Sequence, residues 1–387
     1  MCKPEFELAE IIADNKQDFI EQYHPNGWVL KTLHALEICR TANLGGHIDK
    51  CTDCGHERIS YNSCRNRHCP KCQGINREKW IMSREYDLLP CSYFHVVFTL
   101  PESLNTYCML YPSQVYDILF QAGKATMFQF GHDPKWLGAQ LGMISILHTW
   151  GQNISLHPHV HMIVPGGGIT TDGNWKHARS NGEYLFCVKA LSKVFRAKFM
   201  GLLTQFLSQQ GKIIDQNIRK NLFLKPWVVY AKEPFGGVDQ VLEYLGRYTH
   251  KIAISNHRIK NIENGNVTFS YKDYADGNKQ KLMTLSSVEF LRRFCLHILP
   301  RGFRKIRHYG ILANRVKPQL KITQQKMGVK LTLKPEKIDW KVIVKTKMGF
   351  DVEKCPCCPS GKMIRVSSFR PHAPPVIQST IVLQHAQ

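Results

Sequence analysis

Apolar residues recur every three or four positions through "FELAEII" and "FIEQY", and again through "WVLKTLHALEIC". Residues 5–40 therefore predict two amphipathic helices. The Asn and Gly of "HPNGW" mark the turn between them. Residues 41–73 lose this periodicity and are rich in Cys, His, Gly and Arg, before "REKWIMSREYDLL" resumes a helical pattern. The β-branched and aromatic run "YFHVVFTLP", Tyr93 to Pro101, predicts a strand ended by proline. Residues 103–131 read as mostly helical. "GMISILHTWG" and "LHPHVHMIVP" predict two strands joined by the short polar turn "GQNIS", hence an antiparallel hairpin. Beyond it, "ALSKVFRAKFMGLLTQFLSQQG" predicts a helix over 190–211, "PWVVYAKE" a strand and "GGVDQVLEYLGRYTHK" a helix. "IAISNHRI" and "NVTFSYKDY" predict strands, and "SSVEFLRRFCLHIL" a helix.

Charge adds what periodicity leaves out. The chain has 387 residues, room for two or three domains, and its 43% hydrophobic content allows substantial cores. Its 52 Lys+Arg against 30 Asp+Glu give a formal charge of +22, which favours a polyanionic partner. Residues 301–350 concentrate the excess, with 14 Lys+Arg against Glu336 and Asp339, and predict a phosphate-binding arm or small domain. No apolar run approaches the roughly 18 residues of a membrane span, so no membrane partner is expected. The acidic, helical N-terminus does not read as a signal peptide. Many of the 14 cysteines fall in Cys-x-x-Cys pairs, as in a metal-binding protein of a reducing compartment, and a cytoplasmic location is expected.

Cys51, Cys54, Cys69 and Cys72 form two such pairs and predict one structural Zn²⁺ site. Cys64 and His68 lie in the intervening loop and could replace a member, and Cys39 with His47 is a candidate second site. Arg65 and Arg67, among the ligands, are expected to face nucleic acid. Cys355 and Cys358 are half a site whose other ligands are not evident, and the tail containing "RPHAPP" is expected to be disordered.

Alternation on a strand puts His157, His159 and His161 on one side, where "HVH" could hold a divalent cation. A hydrogen-bonded core pair would have the same spacing. No Asp-His follows, as it would in a dinuclear metallohydrolase, so a nucleophile has to come from elsewhere. Tyr244 and Tyr248, four apart on a predicted helix in "YLGRYTH", share a face and can attack a phosphodiester. Aromatic packing is the competing reading. The glycine run Gly166–Gly168 lacks a P-loop lysine and reads as a turn that a DNA backbone passes closely. Lys251, Arg304 and Arg307 are candidate phosphate contacts.

Four motifs in order, "SYNSCRNRHCPKC", "FHVVFTLP", "LHPHVHMIVPGGG" and "YLGRYTHKIAISNHR", resemble the rolling-circle transposases of bacterial insertion sequences, the two-tyrosine HUH enzymes. The likeness runs from about residue 10 to about 315 and includes "GFRKIRHYGIL". It implies an α+β fold with a central antiparallel sheet flanked by helices, an N-terminal zinc module and a basic C-terminal region. It also implies cleavage and transfer of single-stranded DNA through a 5′-phosphotyrosine. His159 and His161 would be the metal pair for Mg²⁺ or Mn²⁺, and Tyr244 and Tyr248 the nucleophiles. A third polar ligand is expected. His148, on the partner strand of the hairpin, is the first choice, and Gln152, His157 and Gln240 are the alternatives. Partners would be the element's DNA ends, host replication machinery and a separate helicase, since no Walker lysine motif is present.

The expected organisation is a helical zinc module over 1–85, the nuclease over 86–260, an accessory segment over 261–320, and a basic arm with a second knuckle and tail over 321–387. A replication initiator, or a non-catalytic zinc-ribbon nucleic-acid-binding protein, would be the alternative.

Overall fold

The computed structural model describes residues 4–179, 184–235, 238–274, 276–330 and 339–372. Helices α1 (Leu8–Tyr23) and α2 (Gly27–Glu37) open the chain. The Asn26 side chain accepts the N–H groups of Trp28 and Val29 and so starts α2, as the turn motif predicts. Strands β1 (Gly46–Cys51) and β2 (Glu57–Tyr61) follow, then α3 (Gln73–Glu85) and β3 (Tyr93–Thr99). Helices α4 (Asn105–Leu110) and α5 (Pro112–His132) lead into the hairpin β4 (Gly142–Trp150) and β5 (Leu156–Pro165). After the short pair β6 (Gly167–Ile169) and β7 (Trp175–His177) come α6 (Val188–Gln209), α7 (Gln216–Leu224), β8 (Val229–Phe235) and α8 (Val238–Thr249). The rest is β9 (Ile259–Glu263), β10 (Asn266–Asp273), β11 (Lys279–Ser286), α9 (Ser287–Cys295), β12 (Ile306–Gly310), α10 (Lys317–Lys326), α11 (Trp340–Met348) and β13 (Met363–Phe369).

The fold is α+β. Its centre is a five-stranded sheet in the order β12-β4-β5-β3-β8, with every pair antiparallel. Strand alternation gives it two different faces. One carries Phe94, Val96 and Phe98 of β3 with Val160, Met162 and Val164 of β5, and packs against α5 and α6 through Leu119, Phe120, Phe195 and Phe199. The opposite face carries Tyr93, Ile144, Ile146 and Ile163, covered by Val241 and Leu242 of α8. The histidines of β4 and β5 share this second face, so the apolar pattern that buries one side of the sheet aims the polar chemistry at the other.

Four sequence expectations change here. "IAISNHRI" is not a strand before Ile259. Asn256 accepts the N–H of Leu8, and the Arg258 guanidinium donates to the carbonyls of Ala253, Ser270 and Gln152. These side-chain bonds satisfy backbone groups that a ladder would otherwise use. β11, with Lys at alternate positions, is an unforeseen partner of β10. β12 pairs with β4 at the edge of the central sheet, so the segment expected to be accessory supplies one of its strands. Of the expected C-terminal arm, the described residues 321–330 and 339–372 are folded. α11 packs on α3, and β13 pairs with β1. The tail beyond 372 lies outside the described residues.

Gly167 and Gly168 are needed for protein rather than DNA. A Cβ on Gly167 would lie 2.4 Å from the Lys176 carbonyl oxygen, and one on Gly168 2.7 Å from that of Gln140. Both glycines are buried in strand contacts.

His297 is buried between α9 and the hairpin turn. Its ring lies 3.1 Å from Thr149 Oγ1, and Nε2 donates to the Ile154 carbonyl at 3.0 Å. Burial pushes its pKa down to about 4. The unfolded imidazole, near 6.5, binds a proton that the folded one refuses, so stability falls as pH drops below about 6.5 and the loss saturates near 4. Chemical denaturation across this window should show up to about 3 kcal/mol less of this acid sensitivity in His297→Gln than in the parent chain.

Candidate active site and zinc module

His148 and His159 are directly opposite each other across β4 and β5, and His161 follows two residues on along the same face. One nitrogen from each lies within 4.8 Å of the others. Burial and the neighbouring imidazoles hold His161 well below its usual range, and burial pushes His159 down to about 4. Both rings are therefore neutral near pH 7 and can donate lone pairs. His159 Nδ1–H donates to the His157 carbonyl at 2.6 Å, which leaves Nε2 for the cluster. Of the candidate third ligands, His148 is the one grouped with the pair. Gln152 donates to the Tyr274 hydroxyl, His157 contributes its carbonyl, and Gln240 is exposed on α8.

The sequence reading missed His95. It stands on β3, buried, with Nε2 at 2.8 Å from His161 Nδ1 and its ring stacked on that of His161. Tyr244 Oη, descending from α8, lies 2.6 Å from His95 Nδ1 and 3.0 Å from Nε2. A chain of contacts thus runs from the phenol through His95 and His161 to the histidine cluster. If His161 offers Nε2 to the cluster, its Nδ1–H donates to His95 Nε2, and His95 then carries its proton on Nδ1, towards the phenolic oxygen. A donor in that position can hydrogen-bond the phenolic oxygen. The one titratable imidazole in "YFHVVFT" is the available signal, but a lone histidine in an apolar strand has no partner spacing to identify it. Tyr248 lies one turn further along α8, and its side chain lies outside those described.

The cysteines assemble differently from the expected set. Cys51 and Cys54 are not grouped with Cys69 and Cys72. Instead Cys39, Cys64, Cys69 and Cys72 form one cluster, and Cys51, Cys54, Cys355 and Cys358 a second. In the first, Sγ of Cys39 lies 3.5 Å from Sγ of Cys69 and of Cys72, and Cys64 Sγ is 3.6 Å from Cys72 Sγ. A tetrahedral Zn²⁺ with Zn–S near 2.3 Å sets its ligands about 3.8 Å apart, so four thiolates here fit the ion. Backbone N–H groups of Cys64 and Asn66 point at Cys39 and Cys64 sulfurs. His68 stands outside the cluster and accepts the Leu299 N–H at 3.4 Å, while His47 lies 3.6 Å from the Asp49 carboxylate.

The basic candidates divide as well. Arg65 is exposed, but Arg67 donates to the carbonyls of Phe303 and Pro300, so it fastens the zinc module to the turn before β12. Arg304 is exposed, and Lys251 is exposed just past α8. Arg307 pairs with Asp117 and lies 4.1 Å over the Phe120 ring, which reduces its freedom to meet a phosphate. A cleft of about 1230 Å³ runs along β12, lined by Arg84, Lys124, Arg301, Arg304, Arg307 and Arg315, with Trp80, Phe128 and Tyr309 among them. Asp117 is its one acidic lining residue. No described helix is long and apolar enough to cross a membrane.

Residues 142–319, which contain the hairpin, α8 and β12, match a family model described as "Putative transposase". Residues 11–100, which contain the whole first cysteine cluster, match one described as "Transposase zinc-binding domain". The chain is 42% identical over 381 residues to "Putative transposase y4qJ" of Sinorhizobium fredii (strain NBRC 101917 / NGR234), covering 92% of this chain and 95% of that one. It is 30% identical over 305 residues to "Transposase for insertion sequence element IS801" of Pseudomonas savastanoi pv. phaseolicola, covering 74% of this chain and 71% of that one. No solved structure matches. With nearly its whole length aligned to such relatives and a zinc-binding module ahead of the histidine sheet, this chain belongs to the IS91-type family of insertion-sequence transposases.

Proposed function

We propose that this transposase cuts and rejoins single-stranded DNA by HUH-type chemistry, with Tyr244 and Tyr248 as nucleophiles and His148, His159 and His161 holding a divalent cation. The observation that carries this reading is the contact chain Tyr244–His95–His161, which puts a phenolic oxygen and three convergent imidazoles on one sheet face. An all-imidazole set suits Mn²⁺ better than Mg²⁺, which prefers oxygen donors. When bound, the cation would polarise the scissile phosphate and support the departing 3′-oxygen.

The chain's own groups do the rest. His95 holds the Tyr244 oxygen. The phenolate attacks phosphorus and forms a Tyr–O–P bond to the 5′ phosphate of the downstream strand while the P–O3′ bond breaks; the phenol's proton has gone to solvent, and the departing 3′-oxygen takes one from solvent to become a hydroxyl. The phosphodiester energy is kept in that bond. A second tyrosine then allows another strand to be attacked while the first is occupied, as rolling-circle transfer requires. Strand separation would come from a partner helicase.

An oligonucleotide spanning an element end, incubated with the protein and Mn²⁺, should yield an adduct that survives denaturing electrophoresis and is absent with EDTA. The adduct peptide should contain Tyr244 or Tyr248. Cleavage without an adduct would end the proposal.

The cleft along β12 suits the DNA path, with cations for the backbone and aromatic faces for bases. Changing Arg301, Arg304 and Arg315 together to Gln should weaken single-strand binding. Each lost phosphate contact should flatten the salt dependence, by about 0.7 in the log–log slope. An unchanged slope, measured by fluorescence anisotropy, would remove the cleft from the path.

A further inference from the structure

The second cysteine cluster lies outside the zinc-binding match in half its members. Cys51 and Cys54 fall within residues 11–100, whereas Cys355 and Cys358 lie beyond both matched segments. We infer that Cys51, Cys54, Cys355 and Cys358 bind a second Zn²⁺, separate from the one in the N-terminal module, and that this ion clasps the C-terminal segment onto β1.

Three independent observations carry it. The first is the geometry of the sulfurs. Cys51 Sγ is 3.5 Å from Cys358 Sγ, Cys54 Sγ is 3.6 Å from Cys355 Sγ, and all four lie within 4.8 Å. These separations are far too long for disulfides and close to the edges of a tetrahedral thiolate site. Each pair sits on a knuckle, with the Asp53 N–H directed at Cys51 Sγ and the Cys357 N–H at Cys355 Sγ.

The second is Gly361. A Cβ there would lie 2.2 Å from Cys51 Sγ and 2.6 Å from Cys358 Sγ. The backbone passes so near the cluster that no larger residue fits while the sulfurs converge.

The third is what else could hold the segment. The apolar cluster at this place consists of Cys51, Cys355 and Met363, with Cys358 beside it, and the short α11 adds only Ile343 and Val344 as buried side chains. Five of the seven residues of β13 are exposed. Polar links join the loops: Thr52 N–H to the Lys362 carbonyl, Lys362 N–H to Thr52 Oγ1, and Ser360 Oγ to Asp53 Oδ2. So little apolar burial does not offset the ordering of a loop-rich segment, and small folds of this kind use a metal as staple. Binding converts four thiols and one Zn²⁺ into a tetrathiolate and releases the thiol protons to solvent.

The test is zinc content of the purified full-length chain by plasma mass spectrometry. Two zinc ions per chain are expected, falling to one in the double variant Cys355→Ser/Cys358→Ser. One ion in the parent chain, or two retained in the double variant, overturns the inference. Should the double variant fail to fold, Gly361→Ala keeps every thiol and is expected to lose one zinc, while retention of both would argue against the clasp. Limited proteolysis supplies a structural readout. Loss of the second ion should expose the region around residues 349–362 to cleavage and leave the central domain intact, whereas an unchanged digestion pattern would show that the ion holds nothing in place.

Discussion

Changing Tyr244 and Tyr248 together to phenylalanine is expected to eliminate the covalent DNA adduct, a loss of at least about 10³-fold, because phenylalanine has no oxygen with which to attack phosphorus. Binding of the same oligonucleotide should stay within about twofold, since cationic and stacking contacts dominate affinity for single strands. Tyr244 is half-buried against the histidine face, so removing one hydroxyl leaves its packing against the apolar cluster there in place. Tyr244→Phe alone should remove most of the first cut, since its oxygen is the one held by His95. Gel quantification with a label at the oligonucleotide's 3′ end, on the fragment whose 5′ phosphate the tyrosine keeps, reads the adduct, and anisotropy reads binding. An adduct formed by the double variant would remove both tyrosines from the reaction.

The second large effect concerns the cation. His159→Ala should lower cleavage by roughly 100-fold or more at fixed Mn²⁺, with DNA binding retained, because two imidazoles hold a labile divalent ion far less well than three. His159 is half-buried at the open end of β5, so the loss should come from chemistry more than from the core. His148→Ala separates ligand from neighbour. If His148 completes the set, raising Mn²⁺ concentration should recover much of the lost rate. If it only packs beside Trp150, with ring centroids 4.7 Å apart, the cation requirement should not move. A circular dichroism spectrum matching that of the parent chain distinguishes either outcome from misfolding.

Much of this architecture could be read from local pattern. β3, β4 and β5 are apolar and β-branched runs bounded by turn residues, α5, α6 and α8 fall on segments that read as helices, and the hairpin turn is short enough to fix the pairing of His148 with His159. What escaped were relationships between residues far apart in sequence. Spacing pairs a Cys-x-x-Cys with its nearest like and so matches Cys51 and Cys54 to Cys69 and Cys72, yet their neighbours in space lie some three hundred residues on. His95 escaped for a related reason, since only the diagonal contact between β3 and β5 connects it with His161. Arg67 and Arg307 show the limit of reading charge alone, because a guanidinium can be used by carbonyls, a carboxylate or an aromatic face within the protein.

The sheet β13-β1-β2 joins two segments far apart in the chain, with β1 between two neighbours. A ribosome delivers β1 and β2 some three hundred residues before β13, so over that stretch of synthesis one side of β1 has no strand beside it. A prematurely stopped product would keep that bare ladder permanently, and such edges recruit strands from other molecules. Shortened copies of this gene should therefore yield sticky, poorly soluble fragments even when every reacting side chain is present.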